Sequence, residues 1–306
     1  MAARAATEDG VTARQMVPDG PRPTAFGPAR LGIYGFLVVS AVFFLMPLYV
    51  MIVTSLKPME EIRHGALFAW PANPTLAPWI EAWSSACTGL KCEGLKVGFA
   101  NSVFITVPSA VLAITIGMVN GYALSLWRLR WSSLLFGALL MGAFIPYQVL
   151  FFPLVRMLAA IGFFGNLAGI VTVQVIFSLP VMTLLFRNYY ASLPYDLFKA
   201  ARVDGAGFWR TWRSVMLPLS GPMIVVALIL KVTNTWNDYV LGLVFAGHRY
   251  LPMTVELNNI VNTTHGEREY NMEMAATLLT ALVPLAIYFV SGRWFVRGIA
   301  AGAVKG

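Results

Sequence analysis

Charge is what this sequence has least of. Asp, Glu, Lys and Arg make up 12% of its 306 residues, against roughly a quarter in soluble globular domains. Such a chain is neither an ordinary soluble enzyme nor a disordered polymer. Two cysteines cannot staple a fold of this size, and three histidines leave little room for a His-rich metal centre. No Gly-x-x-x-x-Gly-Lys-[Ser/Thr] phosphate loop occurs anywhere, so the chain carries no visible means of hydrolysing ATP. Acidic residues are the scarcer sign, 14 against 22 basic ones, a formal charge of +8. In a membrane protein that surplus reports topology before it reports nucleic acid.

What the chain does have is long apolar runs within a composition that is 58% hydrophobic. A bilayer core of ~30 Å is crossed by about 20 apolar helical residues. Runs of that kind extend over Leu31–Leu56, Val97–Trp127, Trp131–Val155, Met157–Phe186, Ser214–Gly247 (broken by Lys231 and Asp238) and Met274–Gly292. They do not alternate in polarity, which excludes a membrane β-barrel. The expectation is an all-α polytopic membrane protein with six transmembrane helices. With the N-terminus inside, fourteen of the 22 Lys and Arg fall on the cytoplasmic side, seven fall outside, and Lys231 lies in the membrane. That bias places both termini in the cytoplasm.

The domain expectation follows from these runs. Residues 1–30 are a disordered cytoplasmic tail, 31–56 an uncleaved first helix, 57–96 an outer loop, 97–292 the transmembrane core, and 293–306 a cytoplasmic end. The 57–96 loop carries Trp70, Trp79, Trp83 and several prolines and should fold on the outer surface. Cys87 and Cys92 fall in it, either as a disulfide pinching a small loop or as two free thiols. Residues 246–273 form a second outer loop.

The inner stretch 187–217 is basic and patterned as two short helices. Ser192 is placed to cap the first, with Pro194 and Asp196 in its first turn. Gly205 suits a left-handed helix end, and the second helix should stop at Pro218. Leu197, Ala200, Ala201 and Asp204 recur at helical spacing. The alanines make that face shallow, suited either to a partner's groove or to packing back on the chain's own bundle.

Lys199-Ala200-Ala201, Asp204-Gly205-Ala206 and Val215-Met216-Leu217-Pro218 resemble the "EAA" motif of ATP-binding-cassette (ABC) importer permeases. Every spacing fits, and Lys199 stands where Glu is commonest in that family. Pro47-Leu48-Tyr49, Thr54-Ser55-Leu56-Lys57, Phe144-Ile145-Pro146-Tyr147-Gln148, Phe186-Arg187-Asn188-Tyr189-Tyr190 and Trp236-Asn237-Asp238-Tyr239 are similar to the maltose-type sugar permeases. The insert from Cys87 to Lys96, the Leu257–Thr263 segment and the terminal Ala301–Gly306 are similar to that family's glucose/mannose branch.

The resemblance implies a type I importer (MetI-like) permease fold in a bacterial inner membrane. It implies no enzyme activity in this chain and no cofactor bound to it, ATP and Mg being used by a partner ATPase dimer. The other implied partners are a second homologous permease subunit, an external sugar-binding protein and the lipid bilayer, with no nucleic acid. Leu197, Lys199, Ala200, Ala201, Asp204, Gly205, Ala206, Leu217 and Pro218 would form the ATPase-coupling loop. Asn258, Asn259 and Asn262 would meet the binding protein or simply cap their loop.

The fifth run calls for an argument from energy. A charge at mid-membrane costs roughly 2.5–3.5 kcal/mol on insertion scales, so Lys231 and Asp238 should face the bundle interior or water. They are seven residues apart, about 10 Å, too far for a direct ion pair without a bridging group. With Asn234, Trp236, Asn237 and Tyr239 they offer the mixture of amide, carboxylate and ring that a sugar binds. They line or brace a translocation path, or else glue this subunit to its partner. The cargo expected is glucose or mannose, the alternatives being an oligosaccharide or polyol on the same machine, or an ion-coupled secondary transporter.

Overall fold

The computed structural model describes residues 27–88, 91–127, 130–262 and 268–303. Most of the N-terminal tail, Gly89 and Leu90 of the cysteine insert, Thr263 and the final Val304–Gly306 lie outside the described residues. By contacts the chain divides into Met1–Tyr49 and Val50–Gly306. The described part of the first unit is the leading portion of helix α1 (Pro28–Ser55), apolar on every side and exposed at Phe36, Val39 and Phe44 alike. A helix of that kind suits lipid.

The second unit is helical throughout, with no strand among the described residues. Its elements are α2 (Met59–His64), α3 (Ala77–Ser84), α4 (Leu95–Leu126), α5 (Ser132–Phe144), α6 (Phe151–Ala160), α7 (Leu167–Ser192), α8 (Tyr195–Val203), α9 (Phe208–Thr211), α10 (Leu217–Leu219), α11 (Gly221–Asn237), α12 (Val240–Phe245), α13 (Met253–Asn262) and α14 (Tyr270–Ala303). Among the described residues, four helices are long and apolar enough to cross a membrane, and six spans result if each of two bent pairs counts as one.

The bends are where the sequence runs and the structure part company. The third run breaks at Pro146, where the α5 and α6 segments meet at 98°. The fourth run breaks after Ala160, where Gly162 and Gly165 both take φ of +74°. Asn166 then caps α7 by accepting from the Gly169 N–H at 3.0 Å. Helix α7 therefore starts ten residues later than the run it belongs to and continues to Ser192, past Arg187. Hydropathy does not register these stops, because the glycines and phenylalanines around them are as apolar as a helix interior.

The core is built on α4 and α7. A methyl group on Gly117 would lie 2.5 Å from the Met182 Cβ, and one on Gly121 would lie 2.6 Å from the Arg187 backbone nitrogen. The two backbones thus touch where small residues permit it, as apolar membrane helices must in the absence of a hydrophobic drive between them. Ala113, Ile114, Met118 and Tyr122 of α4 interlock with Val171, Val175, Phe186 and Tyr190 of α7. Helix α4 has 32 residues, about 48 Å at 1.5 Å each. Its first turn packs on Ala82, Ala86 and Met253, and its last packs under Phe198 and Trp212. One helix therefore carries the 57–96 segment at one end and the 193–220 segment at the other.

Gly121→Ala should cost about 1–3 kcal/mol through overpacking and lower the melting temperature of the purified protein. Gly137, which has nothing within 4 Å of an added methyl group, is the control, and its alanine variant should melt like the native chain. Equal melting of the two variants would contradict the packing argument.

Candidate functional site: a helical loop and an apolar cleft

Helix α7 passes directly into the loop. Ser192 does not cap α8: its hydroxyl donates back to the Tyr189 carbonyl at 2.7 Å, and Pro194 occupies the cap position with no side-chain bond. Phe198 and Ala201 turn inward, while Leu197, Lys199, Ala200, Val203 and Asp204 are exposed. The face foreseen from spacing is therefore split, with Ala201 on the bundle side and Ala200 on the open side.

The end of α8 is a Schellman motif. The Ala206 N–H donates to Ala201 O at 3.0 Å and the Gly205 N–H to Arg202 O at 3.1 Å. Gly205 sits at φ +75°, a conformation side chains rarely adopt. The accompanying apolar contact falls to Ala201 and Ala206, both buried. The small residues of the motif are thus the chemistry of one tight helix stop. Beneath it lies an aromatic floor. Trp127 stacks edge-on to Phe198 at 5.8 Å, Tyr122 lies 4.7 Å from Phe208, and the Arg202 guanidinium sits 4.8 Å over the Trp127 ring. Lys199 pairs with Asp196 at 3.1 Å on the exposed face.

Pro218 does not end the second helix. It lies at the start of α10, and the preceding Trp212–Met216 turn is widened into a π-helix. A proline ring clashes with the carbonyl four residues before it, and a wider turn relieves the clash. Leu217 packs against the core. The Tyr189 hydroxyl donates to Leu219 O at 2.5 Å, and Tyr190 and Ser220 share a hydrogen bond at 2.8 Å. The loop's exit is thereby held to the same helix as its entrance. A shallow groove of about 320 Å³ opens among Leu197, Ala200, Asp204, Arg210 and Val215.

A larger cleft of about 1240 Å³ lies among α5, α7 and α11. Its walls are mostly apolar, with Leu139, Ile145 and Phe177 among them, and its polar strip is Thr233, Asn234, Asn237 and Asp238. Lys231 does not reach it. Lys231 is 1% exposed, and its ammonium donates to Gln174 O at 2.9 Å and Gln174 Oε1 at 3.2 Å. Gln174 Nε2 in turn donates to Asp238 Oδ2 at 2.9 Å. Gln174, 2% exposed on α7, is the bridging group that the spacing of the two charges requires. A glutamine in an uncharged run suits either a path lining or an interhelical hydrogen bond, and nothing in the local sequence of Gln174 marks its partners.

Asp238 also accepts from the Leu241 and Gly242 N–H groups at 3.3 and 3.1 Å, starting α12. Its own carbonyl accepts from the Thr254 hydroxyl at 2.7 Å, and the neighbouring Tyr239 hydroxyl donates to Asn258 at 3.1 Å. Trp236 is 2% exposed and turned away, against Phe99 at 5.6 Å, with its indole N–H on Thr280 O. Of the residues expected along a path, Asn234, Asn237 and Asp238 line the cleft, Lys231 braces it, and Trp236 and Tyr239 tie its wall to α14 and α13.

Helix α13 presents Asn258 and Asn262 outward, with Asn262 donating to Asn258 O at 2.8 Å and Asn259 half-buried. Behind them Glu256 is buried beneath the Cys87–Cys92 hairpin, whose two sulfurs are bonded. Burial pushes the Glu256 carboxyl up from its ordinary value, against weaker opposing pulls from Thr88, Asn259 and Lys91.

The family model described as binding-protein-dependent transport system inner membrane component matches residues 113–301. A probable ABC transporter permease protein of Pyrococcus horikoshii is 33% identical over 91% of this chain and 98% of its own length. An alpha-glucoside transport system permease protein of Rhizobium meliloti is 33% identical over 83% of this chain and 67% of its own. Among solved structures, a bacterial ABC transporter involved in the import of the acidic polysaccharide alginate has a chain that superposes with a TM-score of 0.72. It is 19% identical and covers 88% of this chain and 99% of that one. The chain belongs to the family of binding-protein-dependent transport system inner membrane components and has the MetI-like permease fold.

Two outcomes follow from the polar groups. Gln174→Leu removes the side-chain bridge, leaving the buried Lys231 ammonium only the main-chain carbonyl at position 174 and the half-buried Asp238 only its backbone donors; it should destabilise by about 1–3 kcal/mol, and an unchanged melting temperature would contradict the bridge. A raised carboxyl pKa means that folding favours the protonated form. The Glu256 contribution is therefore greatest below the ordinary carboxyl range and is lost as pH rises through the raised folded value. Glu256→Gln has no such loss, so native stability should fall relative to Glu256→Gln as pH rises; parallel melting curves across that window would overturn the assignment.

Proposed function

We propose that this member of the family is one of two permease subunits of an ATP-driven sugar importer. It forms half of the translocation path and couples hydrolysis by a separate ATPase dimer to uptake. The observation that carries the reading is the α8 loop: a helix ending in a fixed Schellman turn, exposed at Leu197, Ala200 and Asp204, seated on an aromatic floor continuous with α4 and α7. A segment exposed on one side and immobilised on the other transmits force rather than absorbing it. The loop lies on the cytoplasmic side with both termini, as the distribution of Lys and Arg indicates, and the chain resides in an inner membrane.

The mechanism follows from the two ends of the bundle. ATPase closure moves the α8 loop; α7 enters it and is tied to its exit through Tyr189 and Tyr190, so α7 moves as a body. Gln174 on α7 holds Lys231 and Asp238 of the path wall. Asp238 and Tyr239 hold α13 through Thr254 and Asn258. Helix α13 and the disulfide hairpin meet the external binding protein, with Asn258, Asn259 and Asn262 as contacts. Nucleotide and sugar sites are thereby linked through a chain of packed and bonded groups, which is what allosteric coupling requires.

Sugar as cargo is supported by the alpha-glucoside relative and by the polar strip of amides beside apolar walls. Glucose or mannose is the cargo favoured by the resemblance of the cysteine insert and the C-terminal segment to that branch of permeases. Lys199, paired with Asp196, replaces the family's acidic contact with a basic one at the ATPase interface.

Gly205→Val places a branched side chain at φ +75°. Left-handed backbone costs about 1–2 kcal/mol in L-residues, so ATPase activity and labelled-glucose uptake by the assembled complex should fall together by about 5–30-fold. Mannose should compete with glucose, and maltose and glycerol should not. Retained coupling in a fully assembled variant would overturn the role given to the loop.

A further inference from the structure

The cleft wall has a charge asymmetry. Among the described residues that line it there is no Lys or Arg, and Asp238 is the one residue with a formal charge. The nearest compensating charge, Lys231, is 1% exposed and lies behind Gln174. Every polar contact to the Asp238 carboxylate is a donor, from Gln174, Leu241 and Gly242, which is the pattern of an ionised carboxylate. The pair is neutral in sum but oriented, with its negative end at the cleft and its positive end in the protein. In a low-dielectric wall such a dipole acts over several ångströms with little screening.

We propose that this oriented pair makes the chain's half of the path selective against anionic sugars, such as uronates and sugar phosphates, and permissive to neutral hydroxylated ones. Asp238 is the specificity-determining group and Lys231 the residue that sets its strength. The inference deepens the reading of the cleft as a sugar path and rests on it. The apolar walls supply surface for sugar C–H faces, and Asn234 and Asn237, both exposed in the cleft, supply amides for hydroxyls. Neither function needs a charge, so the carboxylate is free to act by repulsion, the element that specificity against a close analogue requires.

The test reads the cleft potential directly. Both native cysteines are bonded to each other and none is free among the described residues, so Asn237→Cys introduces a single reactive thiol into this chain. In the assembled, membrane-embedded complex it is labelled with a cationic trimethylammonium-ethyl methanethiosulfonate and, separately, with the anionic sulfonatoethyl reagent, and adducts on this chain are quantified by mass. Relative to a free thiol in solution, the cationic reagent should be favoured on the order of tenfold. Adding Asp238→Asn should abolish or invert that preference, because Lys231 is then uncompensated. Adding Lys231→Met should enlarge it. Equal labelling of Asn237→Cys by the two reagents, or a ratio unmoved by both second substitutions, would overturn the proposal, and the first of these needs no second variant to assemble. Glucose uptake by the native complex is scored in parallel. ATP-driven uptake with equal labelling sinks the charge filter alone, whereas a biased cleft in a complex that moves no sugar sinks the reading of the cleft as a sugar path.

Discussion

The backbone contact between α4 and α7 is the constraint on which the rest of the structure depends. Gly117 and Gly121 allow two long helices to approach until a single methyl group would collide. Interiors packed in this way transmit displacement instead of absorbing it. The loop at one end and the 57–96 segment at the other are both built onto α4, and α7 reaches both the loop and the polar bridge of the cleft wall. Loosening that contact would leave each functional region locally intact and disconnected from the others.

Several polar groups inside the bundle are held by a partner on another segment of the chain. Lys231 and Asp238 meet through Gln174, Trp236 reaches Thr280, and Asn101 donates to the carbonyls of Arg249 and Leu251. In an apolar surround an unmade hydrogen bond is costly, so such bonds fix the positions of the helices that share them. This explains why a break at Asp238 is stable: its carboxylate starts α12 and its carbonyl anchors α13. The irregular backbone lies where it borders a cleft, the place at which membrane proteins tolerate it.

Much of this was legible in the sequence, and the divisions are instructive. Charge-poor runs located the long helices because burial in lipid leaves a compositional trace. Helical spacing and Gly205 located the short α8 helix and its end because a Schellman turn takes a left-handed glycine just past the helix, whereas the Ala-Ala, Gly and Leu-Pro spacing marked the loop through its resemblance to the permease motif. The need for a group between Lys231 and Asp238 followed from their separation alone. The identity of that group did not, since Gln174 lies 57 residues from Lys231 and 64 from Asp238. The stops before Leu167 and at Pro146 were invisible to hydropathy, and the inward turn of Trp236 reversed the side that composition favoured, because a ring that suits a sugar face suits an apolar core equally well.

The central claim is that this chain transmits work done by other chains. The most direct measurement is uptake of labelled glucose into proteoliposomes holding this chain and its partner permease, with and without the ATPase dimer, the binding protein and lumenal ATP. The account predicts uptake only when all three are present. Accumulation by the permease pair alone, driven by an ion gradient, would contradict it.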